Sequence, residues 1–112
     1  MTKARDIEFT VSQLNRANNQ LLVVGRCCSN IIKVGDVFNS VYRYTPAKSP
    51  EDYARPGERE GERQIALQIE KIYSYQRYWE ELHPGLTAEL TLFGEGGELV
   101  REGDMLGGTT TM

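Results

Sequence analysis

Apolar and polar residues alternate with a period of two through most of this chain, and that pattern leaves β-structure as its main outcome. Ile7, Phe9 and Val11 alternate with Glu8, Thr10 and Ser12, as a strand does with one face on a core and the other in water. Leu86, Ala88, Leu90 and Leu92 alternate in the same way with Thr87, Glu89, Thr91 and Phe93. Between them, Gln20 to Cys28 is apolar on both faces at Leu21, Leu22, Val23 and Val24. That is the mark of a central strand, and Gly25 signals a bend, a bulge or a close backbone approach. Val37 to Thr45, rich in β-branched and aromatic residues, reads as a further strand. In Ile65 to Glu70 the alternation shifts phase between Ile69 and Ile72, which predicts a bulge or a strand end near Lys71.

Turn chemistry punctuates these runs at Asn18-Asn19, Gly35-Asp36, Pro84-Gly85 and Gly94-Glu95-Gly96-Gly97. The segment Tyr75 to Leu82 is spaced for one helical turn, and Glu98–Val100 and Asp104–Leu106 flank a second Gly-Asp turn. About six strands without a long helix predict an all-β fold, a six-stranded antiparallel barrel that removes its own edges by closing. The expected core is Ile7, Phe9, Val23, Val41, Leu67, Ile69, Leu86, Ala88, Leu90 and Leu92.

With 112 residues, 1–112 is expected to be a single domain. Residues 46–64 carry mixed charge, Pro and Gly with almost nothing to bury, which predicts a solvated loop insertion. Residues 107–112 offer no apolar pattern and are expected to form a frayed tail. Thirteen Lys and Arg against 16 Asp and Glu give a net charge of -3, which disfavours general binding to a phosphate backbone. No stretch reaches the roughly twenty apolar residues of a membrane helix, and no apolar signal core follows the N-terminal cations, so the expectation is a cytoplasmic chain with no membrane partner. Cys27 and Cys28 are sequence neighbours whose strand side chains would point to opposite faces. They read as free thiols and lack the spaced pairs of a zinc site.

Lys33-Val34-Gly35-Asp36-Val37-Phe38 is echoed by Arg101-Glu102-Gly103-Asp104-Met105-Leu106: a cation, a spacer, Gly-Asp and two apolar residues. Gly supplies a positive φ and the Asp carboxylate accepts nearby backbone N–H groups, so each pair turns the chain just before a strand. Together with Val23-Val24-Gly25-Arg26, Ile69-Glu70-Lys71-Ile72 and the run Pro84 to Gly94, this order resembles the second domain of elongation factor Tu-like translational GTPases. The resemblance spans most of Ile7 to Leu106 and implies a six-stranded antiparallel β-barrel of the translation-protein type, here without the GTPase domain. It also implies docking on partner domains, the ribosome or aminoacyl-tRNA, although no nucleotide- or tRNA-contacting motif matches residue by residue. Nothing matches G-x-x-x-x-G-K-[ST], and Gly94-Glu95-Gly96-Gly97-Glu98 sets carboxylates where a phosphate cradle needs N–H groups and a lysine.

Three constellations could carry chemistry. His83 follows Glu80 and Glu81 but has no second His or a Cys pair to complete a metal site, and it reads more simply as a turn residue. Cys27 or Cys28 could be a nucleophile only if a cation such as Arg26 lowered its pKa; free strand cysteines are more often small apolar core residues. Tyr73, Tyr75, Arg77, Tyr78 and Trp79 gather residue types found at binding hot spots, and they serve equally well as rings capping a barrel end. The reading adopted is a non-catalytic binding or adaptor module with no cofactor or metal, whose partner is a protein contacted through those five residues. Self-association falls within that reading, and a ribosome- or RNA-associated accessory factor is the alternative.

Overall fold

The computed structural model describes residues 4–17, 19–44 and 59–111. Among the described residues nine strands form: β1 (Ala4–Ala17), β2 (Gln20–Ser29), β3 (Ile32–Lys33), β4 (Val37–Tyr44), β5 (Arg59–Ser74), β6 (Arg77–Trp79), β7 (Glu81–Leu82), β8 (Thr87–Glu95) and β9 (Met105–Thr111). The hydrogen-bonded order β4-β9-β1-β2-β8-β5 closes on itself because β4 also pairs with β5, and every pairing is antiparallel. The expected six-stranded antiparallel barrel is therefore the fold, with β6 appended to the end of β5 and β3 paired with β7 beside it.

The inward residues follow the period of two. Nine of the ten expected core residues are buried, joined by Val11, Leu21, Ile32, Phe38, Ile72, Leu106 and others. We expect Leu90→Ala, at a fully buried position in the middle of β8, to cost about 2–5 kcal/mol. Urea unfolding measures it, and a loss below about 0.5 kcal/mol would contradict the packing.

Leu86 is the exception, at 37% exposed. The turns Lys33–Asp36 and Arg101–Asp104 have the same wiring. Each Asp N–H donates to the carbonyl three residues back, each Asp carboxylate accepts that residue's N–H (2.8 and 2.9 Å), and both glycines have positive φ. Each then docks on a strand by two bonds: Gly35 N–H to the Ile69 carbonyl with Ile69 N–H to the Asp36 carbonyl, and Gly103 N–H to Val11 with Val11 N–H to Asp104. His83–Leu86 repeats this backbone on Cys27, through Gly85 N–H to the Cys27 carbonyl and Cys27 N–H to the Leu86 carbonyl. Leu86 thus occupies the Asp position of a third turn, so it sits in the turn rather than in the core. Buried residues bracket all three: Ile32 and Phe38, Leu82 and Ala88, Val100 and Leu106.

Other expectations need correction. Residues 59–64 of the expected loop are the first part of β5, held by the ladder to β4, where Arg43 faces Glu60 and Val41 faces Arg63. Their side chains lack alternation because this arm extends past the core and both its faces meet water. Residues 46–58 of that insertion lie outside the described residues. Gly107 to Thr111, expected to fray, pair with β1 as far as Ala4. Glycine there replaces an apolar pattern, since a Cβ on Gly107 would meet the Tyr42 ring and one on Gly108 the Val37 carbonyl. The second Gly-Asp turn forms at Arg101–Asp104 as expected, and Gly97–Leu99 before it is a short 3-10 turn. The phase shift at Lys71 is a register break between Ile69 and Lys71.

Candidate partner-binding site

The segment expected to form a helical turn is a β-hairpin. Tyr73 pairs with Tyr78, Ser74 with Arg77 and Ile72 with Trp79, leaving Tyr75-Gln76 as a two-residue loop. Both loop residues have positive φ, 52° and 65°, as the primed hairpin turns require. Neither is Gly or Asn, so the loop carries strain of about 1 kcal/mol or more per residue. The spacing of Tyr75, Tyr78 and Trp79 imitates a helical period, and the absence of Asn-Gly hides the turn.

Pairing divides four of the five expected site residues between two faces and leaves Tyr75 at the tip. Tyr73 and Tyr78 stand side by side on the outer face with their rings edge-on, centroids 5.1 Å apart, and the Lys71 ammonium lies 5.7 Å from the Tyr78 ring. Arg77 and Trp79 belong to the opposite face, the guanidinium 4.8 Å above the indole. The Trp79 Nε1–H donates to the Ser74 carbonyl at 2.7 Å, which pins the indole across the hairpin. Tyr75, at the tip, is 73% exposed and Tyr78 66%, whereas Tyr73 and Trp79 are near 40%. A groove of about 240 Å³ runs beside them, lined by Val34, Glu70, Lys71, Ile72, Tyr78, Trp79 and Glu80.

A second polar cluster escaped sequence reading because its members are far apart along the chain. The Tyr42 and Tyr44 hydroxyls both donate to the Glu8 carboxylate, and the Arg59 guanidinium lies 4.1 Å above the Tyr42 ring. Burial and then the Glu8 hydrogen bond push both phenols above their ordinary range, so they remain donors at neutral pH. The cluster ties β1 to β4.

The other candidates for chemistry are dispersed. His83 and Glu81 lie 3.5 Å apart, both exposed. Among the described residues no group of three or more His, Cys, Asp or Glu is placed to hold a metal. Cys27 is buried and Cys28 exposed, both as free thiols. Burial and the neighbouring Cys28 push the Cys27 thiol up to about 11, the opposite of an activated nucleophile. Its folded pKa exceeds the unfolded one, so the stability it contributes is complete below the ordinary thiol pKa and is lost as pH climbs toward 11. A thiol reagent at pH 8 is expected to titrate Cys28 alone in the native protein and both cysteines in denaturant. Two fast native thiols would contradict the buried placement.

No protein-family model and no curated protein matches this sequence. Among solved structures, the chain is similar to translation elongation factor SelB from Methanococcus maripaludis in its apo form, with 14% identity and a TM-score of 0.65. It is also similar to the same factor in complex with the GTP analogue GppNHp, with 14% identity and a TM-score of 0.63. Each match covers 91% of this chain and 18% of the elongation factor. The resemblance read from the sequence thus holds at the level of the fold: the barrel is similar in fold to a portion of a translation elongation factor. No helix among the described residues is long and apolar enough to cross a membrane.

Proposed function

We propose that the chain is a non-catalytic, translation-related binding module that engages a protein partner through the β5–β6 hairpin. The observation that carries this reading is a strained two-residue loop holding a tyrosine, 73% exposed, at the tip of a hairpin that presents three further aromatic rings. A tip built for stability alone would use Asn-Gly, and departures from local preference gather at functional positions. Tyr and Trp also bury a large area at small rotamer cost. The cap reading accounts for part of Trp79, through its bond to Ser74, but not for Tyr75 and Tyr78.

Replacing Tyr78 by Ala and Tyr75 by Asn, which tolerates positive φ, removes each ring while leaving the hairpin able to form. We expect each change to weaken partner binding by about 2 kcal/mol or more in calorimetric titration. Folded variants that bind as tightly as the parent would reduce the hairpin to a barrel cap. Likeness to an elongation factor supports a second reading, a ribosome- or RNA-associated accessory factor. The net charge of -3 opposes it, and RNA affinity falling steeply with salt would favour it.

A further inference from the structure

The hairpin is one end of a larger surface. In β2 and β8 the residues between the core positions point outward, and among them Leu22 and Val24 of β2 and Phe93 of β8 are apolar where a barrel exterior is normally polar. Val24 pairs with Glu89 and Leu22 with Thr91. On the other side of β8, Glu89 faces Tyr73 and Thr91 faces Lys71. Tyr78 then extends the row from Tyr73. Leu22 and Val24 are half-buried among these neighbours and outward-pointing Thr91 is 9% exposed, while Tyr73 and nearby Phe93 remain open to solvent.

Charge on this face is arranged in one particular way. Tyr73, Glu89, Thr91 and Lys71 form a square across β5 and β8, with Lys71 and Glu89 at opposite corners. Glu89 is half-buried, yet neither it nor Lys71 has an ion-pair partner among the described residues. A two-fold axis along the Tyr73–Thr91 diagonal brings Lys71 of one copy against Glu89 of a second, and reciprocally, and lays Tyr73 and Thr91 on their own counterparts. Such self-complementarity is the requirement of an isologous contact.

We propose that the outer face of β2, β8 and β5 is the contact surface of a homodimer, with Lys71 and Glu89 paired reciprocally between copies. This deepens the partner reading of the hairpin and rests on it, since Tyr73 and Tyr78 lie on the same face; the partner is a second copy of this chain. The face then serves as the apolar centre of the contact and the two charge pairs fix its register.

Sedimentation of the purified chain across micromolar to millimolar concentrations should show a reversible dimer. Lys71→Glu places Glu against Glu89 twice, and Glu89→Lys places Lys against Lys71 twice. Each variant alone should weaken the dimer at least about a hundredfold. Mixed in equal amounts, the two variants should form a heterodimer, because both contacts are again opposite in charge, and the double variant should dimerise like the parent. Circular dichroism melts establish that each variant is folded. A parent that stays monomeric throughout overturns the homodimer while leaving the hairpin to its own binding test. Single variants that dimerise like the parent, or a mixture that fails to recover association, overturn it equally.

Discussion

Replacing Gly25 by Ala should cost more than about 3 kcal/mol, and the variant is expected to unfold at far lower urea than the parent. Gly25 pairs with Val11 where β1 crosses β2, and a Cβ there would lie 1.7 Å from the Thr10 carbonyl oxygen and 2.8 Å from the Phe9 ring. The obstacle is backbone, so no rotamer change relieves it, and either the strands part or Phe9 leaves its buried site. Gly35→Ala provides the contrast. A Cβ at Gly35 meets nothing within 4 Å but inherits a φ of 95°, so only the left-handed penalty of about 1–2 kcal/mol applies. Equal losses at the two positions would mean that the strand crossing is not as close as described.

Asp36→Ala should cost about 3–5 kcal/mol, and Asp104→Ala less, about 2 kcal/mol. Both carboxylates hold the N–H three residues back and arginine side chains: Arg5 at 3.0 Å for Asp36, and Arg43 at 2.6 Å and Arg63 at 3.5 Å for Asp104. What differs is the charge left behind. Arg5 is 11% exposed and its Nε already lacks a partner, so losing Asp36 strands a buried guanidinium that water reaches poorly. The Arg43 and Arg63 side chains are 51% and 38% exposed and turn to solvent when Asp104 goes. Asp104 is itself the more buried carboxylate, so ranking by its burial alone gives the opposite order. Chemical denaturation of both variants therefore decides which physical term governs, and a larger loss at Asp104 would refute the stranded-charge account.

The barrel was legible because its inward residues obey one rule along each strand, and the bulge after Ile69 was legible as a break in that rule. Legibility failed where something other than side-chain alternation sets the conformation. Arg59–Gln64 is strand by virtue of its ladder to β4, which leaves no mark in residue type. Gly107 and Gly108 fill their places by what they lack, leaving room for the Tyr42 ring and the Val37 carbonyl. The third turn shares the backbone of the Gly-Asp pair but has Leu86 where the carboxylate stands in the others, so only two copies of a threefold device were visible. At the candidate site the residue types were legible and their arrangement was not. Four of the five divide between two faces of a hairpin and Tyr75 stands at its tip. The apolar outer positions of β2 had been visible all along as Leu22 and Val24, in a strand with no polar face there.

The central claim is that the β5–β6 hairpin and the face beside it are a protein contact surface. Site-specific photocrosslinking tests it most directly, with benzoylphenylalanine placed at Tyr78 and, as a control, at exposed Glu102 in the turn that docks on β1. Illumination in native host extract should give discrete protein adducts from position 78, one of them at twice the chain mass, and none from position 102. Adducts from position 102 alone, or from neither position, would contradict the claim.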